Sequence, residues 1–213
     1  MTDPATRHNQ AVYDQIAPHY ARRQAGRGAS FSDLMDTFTA RLPARALVAD
    51  LGCGPGHDGA RLAQAGHRVV GVDRSAAMLA IAAGPLAGQV ARGDLRGLPL
   101  ASASLDGIWC CASLLHVPRD QTPTVLAELG RVLRPGGHLA LITALGEGAR
   151  LEPVPFAPDL QRWYFYRQAG ELTAQLATAG LDVLSASEES GSRHWLKVLV
   201  SAGRRPGASP VRR

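Results

Sequence analysis

The sequence predicts a doubly wound α/β domain with a largely parallel sheet, and three observations predict it. Short apolar runs alternate with helical patterns along most of the 213 residues, the order that a parallel sheet covered by helices requires. The first run, Ala46-Leu47-Val48-Ala49, leads straight into glycines at alternate positions, Asp50-Leu51-Gly52-Cys53-Gly54-Pro55-Gly56, and a helical pattern follows from about Asp58. A second run, Val69-Val70-Gly71-Val72, ends on Asp73, 23 residues beyond Asp50. Glycines at such a turn let the backbone bend sharply and lie against a ligand, because no Cβ stands in the way. An acid at the tip of the second strand can accept hydrogen bonds from ribose hydroxyls.

The remaining elements follow in order. Strands are expected near 46–51, 68–72, 89–92, 105–111 and 137–143, with helices near 57–65, 75–83 and 121–133. Gly66 closes the first helix, and Arg134-Pro135-Gly136-Gly137 ends the third and turns the chain into the fifth strand. Beyond Gly170 comes a helix over 171–179 stopped by Gly180. Strands 181–188 and 194–202 follow, separated by Ser190-Gly191-Ser192. Two regions fall outside the sheet. Residues 8–42 form a helical prelude, and residues 144–170 an insertion holding Pro153, Pro155 and Pro158. Five of the eleven aromatics lie between Phe156 and Tyr166, more than a plain crossover needs.

Composition narrows the function classes. The formal net charge is +5, but Arg204, Arg205, Arg212 and Arg213 supply four of those charges. A disordered basic tail over 203–213 is therefore expected, on a nearly neutral body that speaks against nucleic acid as partner. Three cysteines, two of them adjacent, make neither a disulfide framework nor a metal-ligand spacing. Met1 to Gln10 lacks the apolar stretch of a signal peptide, and no run approaches the roughly 20 apolar residues of a membrane span. A cytoplasmic protein without metal or membrane attachment is the expectation.

Two templates compete for the glycine loop. Gly54, Gly56 and Gly59 meet the GxGxxG spacing of dinucleotide-binding folds, with Asp73 at about the right distance. An acid immediately before the glycines, however, would sit badly near a pyrophosphate. Asp50, Gly52, Gly54 and Gly56 fit instead the acid-x-Gly-x-Gly-x-Gly loop of the class I S-adenosylmethionine-dependent methyltransferases, whose cofactor has no phosphate and carries an ammonium. The chain resembles that family over roughly residues 12 to 202, and most nearly its type 11-like small-molecule branch. Three further matches follow in the right order: Asp73, Arg92-Gly93-Asp94-Leu95 after the third strand, and Arg131-Val132-Leu133-Arg134-Pro135-Gly136-Gly137 before the fifth. The resemblance implies a Rossmann-like, seven-stranded, mostly parallel sheet with an antiparallel last strand and helices on both faces. It implies one domain over 1–202, with 8–42 as an N-terminal helical cap and 144–170 as a substrate-side insertion.

It also implies site residues. S-adenosyl-L-methionine would be held by the loop Asp50, Gly52, Cys53, Gly54 and Gly56, with Asp50 helping to hold the ammonium. Asp73, followed by Arg74, would bind the ribose hydroxyls, and Asp94 with Leu95 would meet the adenine. Cys111, at the end of the fourth strand, is small enough to border the sulfonium. Tyr13 and Tyr20 belong to a Tyr-Asp-x-x-Ala-x-x-Tyr pattern whose aromatics approach the methionine carboxylate in the family, and seven-residue spacing puts both on one helical face. His116 is the candidate catalytic base, since a neutral imidazole can accept a proton near pH 7. Arg162, Trp163, Tyr164 and Tyr166, with Arg167 beyond them, could line an acceptor pocket; aromatics suit a flat or cationic acceptor, and arginines a carboxylate. The function expected is methyl transfer to a small molecule by in-line displacement. The alternatives are an RNA or protein methyltransferase, a non-catalytic S-adenosylmethionine-binding protein, and an NAD-dependent oxidoreductase.

Overall fold

The computed structural model describes residues 3–24, 31–191 and 193–203; the expected basic tail lies outside the described residues from 204 onward. Its elements in chain order are α1 (Pro4–Gln24), α2 (Ser32–Thr39), β1 (Leu47–Leu51), α3 (His57–Gln64), β2 (Arg68–Asp73), α4 (Ala76–Ala82) and β3 (Val90–Arg92). Then come β4 (Leu105–Cys111), α5 (Thr122–Val132), β5 (Leu133–Ala144), β6 (Ala149–Val154), β7 (Ala157–Phe165), α6 (Ala169–Thr178), β8 (Leu181–Ser190) and β9 (His194–Ala202).

Seven strands form one sheet in the order β3-β2-β1-β4-β5-β9-β8. The pairs from β3 through β5 are parallel, and β9 runs antiparallel to both of its neighbours. Alternation of side chains across a strand sorts the apolar residues into two cores. Ala49, Leu51, Ile108, Cys110, Leu139 and Leu141 face α5 and α6, where Leu126, Leu129, Leu172 and Leu176 meet them. Val48, Trp109, Ala140 and Ile142 face Phe38, Leu62 and Leu79 from α2, α3 and α4. Burial on both faces explains why β1 and β4 read as nearly continuous apolar runs. The sequence order reverses at β1, which pairs with β2 on one side and β4 on the other, so a crevice opens beyond the carboxyl ends of these strands.

Two regions lie outside the main sheet. The prelude is one long helix, α1, continued through Pro18, and a short second helix. The insertion is a β-hairpin, β6 paired antiparallel with β7 and separate from the main sheet. Its prolines argue against strands in sequence terms, yet a two-stranded sheet has only edges, and the register shifts between Pro153 and Val154. Fifth-strand pairing also begins earlier than 137, with Leu133 opposite Leu105.

Candidate active site

A cavity of about 150 Å³ opens at the reversal point, between the ends of β1, β2 and β4 below and α1 above. Gly52 and Gly54, with φ of +69° and +51°, form its floor. A Cβ on Gly52 would lie 1.8 Å from Ser113 Oγ, so only glycine fits there. A Cβ on Gly54 would meet nothing nearer than Tyr20 Cε1 at 4.0 Å, which leaves that backbone open to the cavity. At the tip of β2, Asp73 accepts from Gly54 N–H at 2.9 Å and from Ser75 N–H at 2.9 Å. Burial raises its carboxyl pKa, opposed by those backbone donors. Ser75 caps α4 by accepting from Met78 N–H and donates to Asp14 Oδ1 at 2.6 Å, which ties α1 down over the site.

At one end of the cavity Asp94 accepts from the Arg96 fork, Nε at 2.8 Å and Nη2 at 2.6 Å, and from Arg74 Nη1. Arg96 also reaches Asp3 at 2.6 Å, and Arg74 reaches Gln10 at 3.2 Å. The adenine contact expected of Asp94 therefore competes with an existing ion-pair cluster. At the other end Ala112, the residue after β4, is held at φ +52°. Left-handed backbone at a non-glycine residue is stored strain, which concentrates at sites.

His116 lines the cavity beside Tyr13. Its Nδ1 lies 2.8 Å from the Trp163 carbonyl, which can only accept, so the proton belongs on Nδ1. Nε2 is left to accept from the Tyr13 hydroxyl at 2.8 Å, and that hydroxyl accepts from Arg162 Nη1 at 2.9 Å. Burial lowers the His116 pKa to about 3 and raises that of Tyr13, so both are neutral at pH 7. Asn9 of α1 clamps Trp163 of β7 like a strand partner, accepting from its N–H at 2.7 Å and donating to its carbonyl at 2.9 Å. The hairpin and α1 thus form one roof.

Of the residues expected at the cofactor, Tyr13, Tyr20, Gly52, Gly54, Asp73, Arg74, Asp94, Leu95 and Cys111 line the cavity. Asp50, Cys53 and Gly56 do not. Asp50 is 2 % exposed and accepts from Gly59 N–H at 2.9 Å, joining the loop to α3. Burial pushes its carboxyl well above the usual range. Cys53 packs against Gly71 below the loop, and Gly56 caps α3. The expected acceptor residues stand one layer behind the wall: Arg162 and Tyr164 back Tyr13 and His116, while Trp163 offers its backbone to Asn9 and His116. Tyr166 lines a separate recess with Arg150, Glu152 and Arg193. Arg167 is a structural buried cation, donating to the carbonyls of Phe165 and Val117 at 2.8 Å and to Thr122 Oγ1 at 3.0 Å. Gln10, Asn9 and Arg96 were not singled out in the sequence, because nothing local marks residues that meet a site only through helix packing.

The family described as "Methyltransferase domain" matches residues 48–137. A 2-phytyl-1,4-naphtoquinone methyltransferase of Synechocystis is 30% identical over 178 residues, covering 77% of this chain and 71% of that protein. The chain belongs to the S-adenosylmethionine-dependent methyltransferase family. A malonyl-[acyl-carrier protein] O-methyltransferase of Enterobacter lignolyticus is 39% identical over 136 residues, 62% of this chain and 52% of that protein. The chain thus spans about half the length of these malonyl-[acyl-carrier protein] O-methyltransferase relatives. The fold is that of a solved Burkholderia thailandensis 1,6-didemethyltoxoflavin-N1-methyltransferase with bound S-adenosylhomocysteine, at a TM-score of 0.71, 23% identity and coverage of 95% and 92%. Among the described residues no helix is long and apolar enough to cross a membrane.

Proposed function

We propose that this chain transfers the methyl group of S-adenosylmethionine to a small-molecule acceptor. One observation carries the reading: the cavity combines an open glycine floor and an acid at the tip of the second strand with a Tyr13–His116 wall. The residues fit the cofactor, since the Gly54 backbone is uncovered and Asp73 keeps lone pairs beyond its two backbone donors. Tyr20 lies edge-on to Tyr13, ring centroids 5.7 Å apart, and lines the same wall, in keeping with a methionine-end contact. When bound, the cofactor supplies an electrophilic methyl on a sulfonium. The protein's part is to align the acceptor with that methyl and to exclude water, for which the α1–hairpin roof is suited.

Small molecules are also what the relatives' names describe, a naphthoquinone and a carrier-bound malonyl group. The nearly neutral body disfavours nucleic acid, and three free cysteines suit the reducing cytoplasm. Calorimetry with S-adenosylmethionine, S-adenosylhomocysteine and NAD tests the donor assignment. Micromolar binding of the first two is expected, and binding of NAD alone would overturn the reading.

A further inference from the structure

We propose that this chain forms a symmetric dimer in which β6 pairs antiparallel with β6 of a second copy, about a twofold axis at Leu151. The two hairpins then make one four-stranded sheet, in the order β7-β6-β6-β7, and join the roofs of two cavities.

The first observation is a bare edge. Tyr166 N–H donates to the Gly148 carbonyl, and in the same register Arg150 and Glu152 stand opposite Tyr164 and Arg162. Antiparallel alternation therefore turns the main-chain groups of 150 and 152 towards β7, and those of 149 and 151 away from it. On β7 the outward groups have partners. Trp163 bonds Asn9 and His116, and the carbonyls of Gln161 and Phe165 meet His8 and Arg167. On β6, among the described residues, nothing bonds the outward N–H and C=O of Ala149 or Leu151. Leu151 is 39 % exposed, on the same face as the stacked rings of Trp163 and Phe165. An unpaired edge is a template for another strand, and a two-stranded ribbon gains stability from one.

The second observation is charge, which selects a second copy as the occupant. With Leu151 opposite Leu151, Arg150 faces Glu152 of the second copy, and Glu152 faces its Arg150. These are pairs of the close, non-hydrogen-bonded kind, with Cα atoms about 4.5 Å apart. Arg150 has no carboxylate within ion-pair distance among the described residues. Glu152 is fixed at the edge by Arg193 and the Tyr166 hydroxyl. The edges of the main sheet are built the other way. β8 carries Asp182, Glu188 and Glu189 and no cation, and β3 is three residues long with Arg92 as its one charge. Edges of one sign repel their own copies; β6 complements itself, as an isologous contact requires. Pro153, which has no N–H, ends the pairing on each side. The contact is short and belongs to the weak, concentration-dependent class.

Sedimentation velocity of the full chain over about 1 to 500 µM, the range of weak contacts, should show a reversible monomer–dimer equilibrium. Arg150→Glu sets acid against acid at two cross-strand pairs and should weaken the dimer about tenfold. Added salt should weaken the unmodified dimer in the same direction. Leu151→Pro removes an outward N–H and no bond to β7, so it should keep the circular dichroism of the fold and abolish the dimer. Leu151→Cys should cross-link to its own copy under mild oxidation, because paired Cα atoms about 5.5 Å apart suit a disulfide. Leu184→Cys, on the exposed β8 edge, should not. A chain that stays monomeric at the highest concentration overturns the proposal. So does a dimer that survives both Arg150→Glu and Leu151→Pro, or equal cross-linking of the two cysteine variants. Monomers that bind an alternating Thr-Val peptide, with binding lost in Leu151→Pro, would assign the edge to a foreign strand and overturn the second copy as its occupant.

Discussion

The two ends of the cavity are built by opposite means. The donor end is local: Asp73 is bonded to Ser75 two positions away and to Gly54 nineteen away. The Tyr13–His116 end is assembled across the chain, with Tyr13 and His116 separated by 103 residues and Asn9 and Trp163 by 154. A cofactor shared by a whole family can be gripped by backbone at strand ends, whose geometry the sheet imposes. An acceptor that varies needs side chains brought in by elements free to change, here α1 and the β6–β7 hairpin. The comparison fails if perturbing one end changes the ligand of the other.

The largest effect is expected at the donor end. Asp73→Ala removes a carboxylate aimed at the cavity and strips Gly54 N–H of its acceptor. Charge-assisted hydrogen bonds are worth roughly 1.5–3 kcal/mol each, so affinity for S-adenosylhomocysteine should fall about 100-fold by calorimetry. Unchanged affinity would remove Asp73 from the site. Acceptor recognition should respond only through the missing cofactor.

Asn9→Ala should act in the opposite sense. It deletes two of the hydrogen bonds that clamp α1 to β7, at a cost of about 1–2 kcal/mol in unfolding free energy. Cofactor affinity should stay within about twofold while KM for the acceptor rises, as measured by steady-state kinetics. A loss of cofactor affinity equal to the rise in KM would show that the two ends are not separable.

What was legible in the sequence follows the same division. The first strands and helices, the glycine loop and the place of Asp73 at the tip of β2 could be read because period and turn chemistry fall within one βαβ unit. Asp50 shows the limit of a motif: its position implies a ligand, whereas in the structure its side chain turns inward to Gly59. The hairpin could not be read, because prolines and mixed polarity hide strands that pair only with each other. That Arg162 backs Tyr13 could not be read either, because the contact is set by packing between segments far apart in the chain.

The smallest effect concerns His116 and acidity. Burial lowers its folded-state pKa to about 3, with Arg162 and Arg193 adding to the shift and the Trp163 carbonyl and Glu152 opposing it. The rings of Tyr13 and Tyr164 complete its surroundings. In the unfolded chain its pKa is about 6.5. Between those values the unfolded state binds a proton that the folded state refuses, so stability rises with pH across the window. Acidification from about pH 6.5 towards 3 should therefore weaken the fold, with no contribution from this residue above about pH 7. His116→Gln keeps a polar group at the position but does not titrate, so its urea midpoint should fall less between pH 7 and pH 5 than that of the unmodified chain. Equal losses would mean that His116 is not held neutral by its surroundings, and the wall beside Tyr13 would then regain a group able to take a proton from an acceptor.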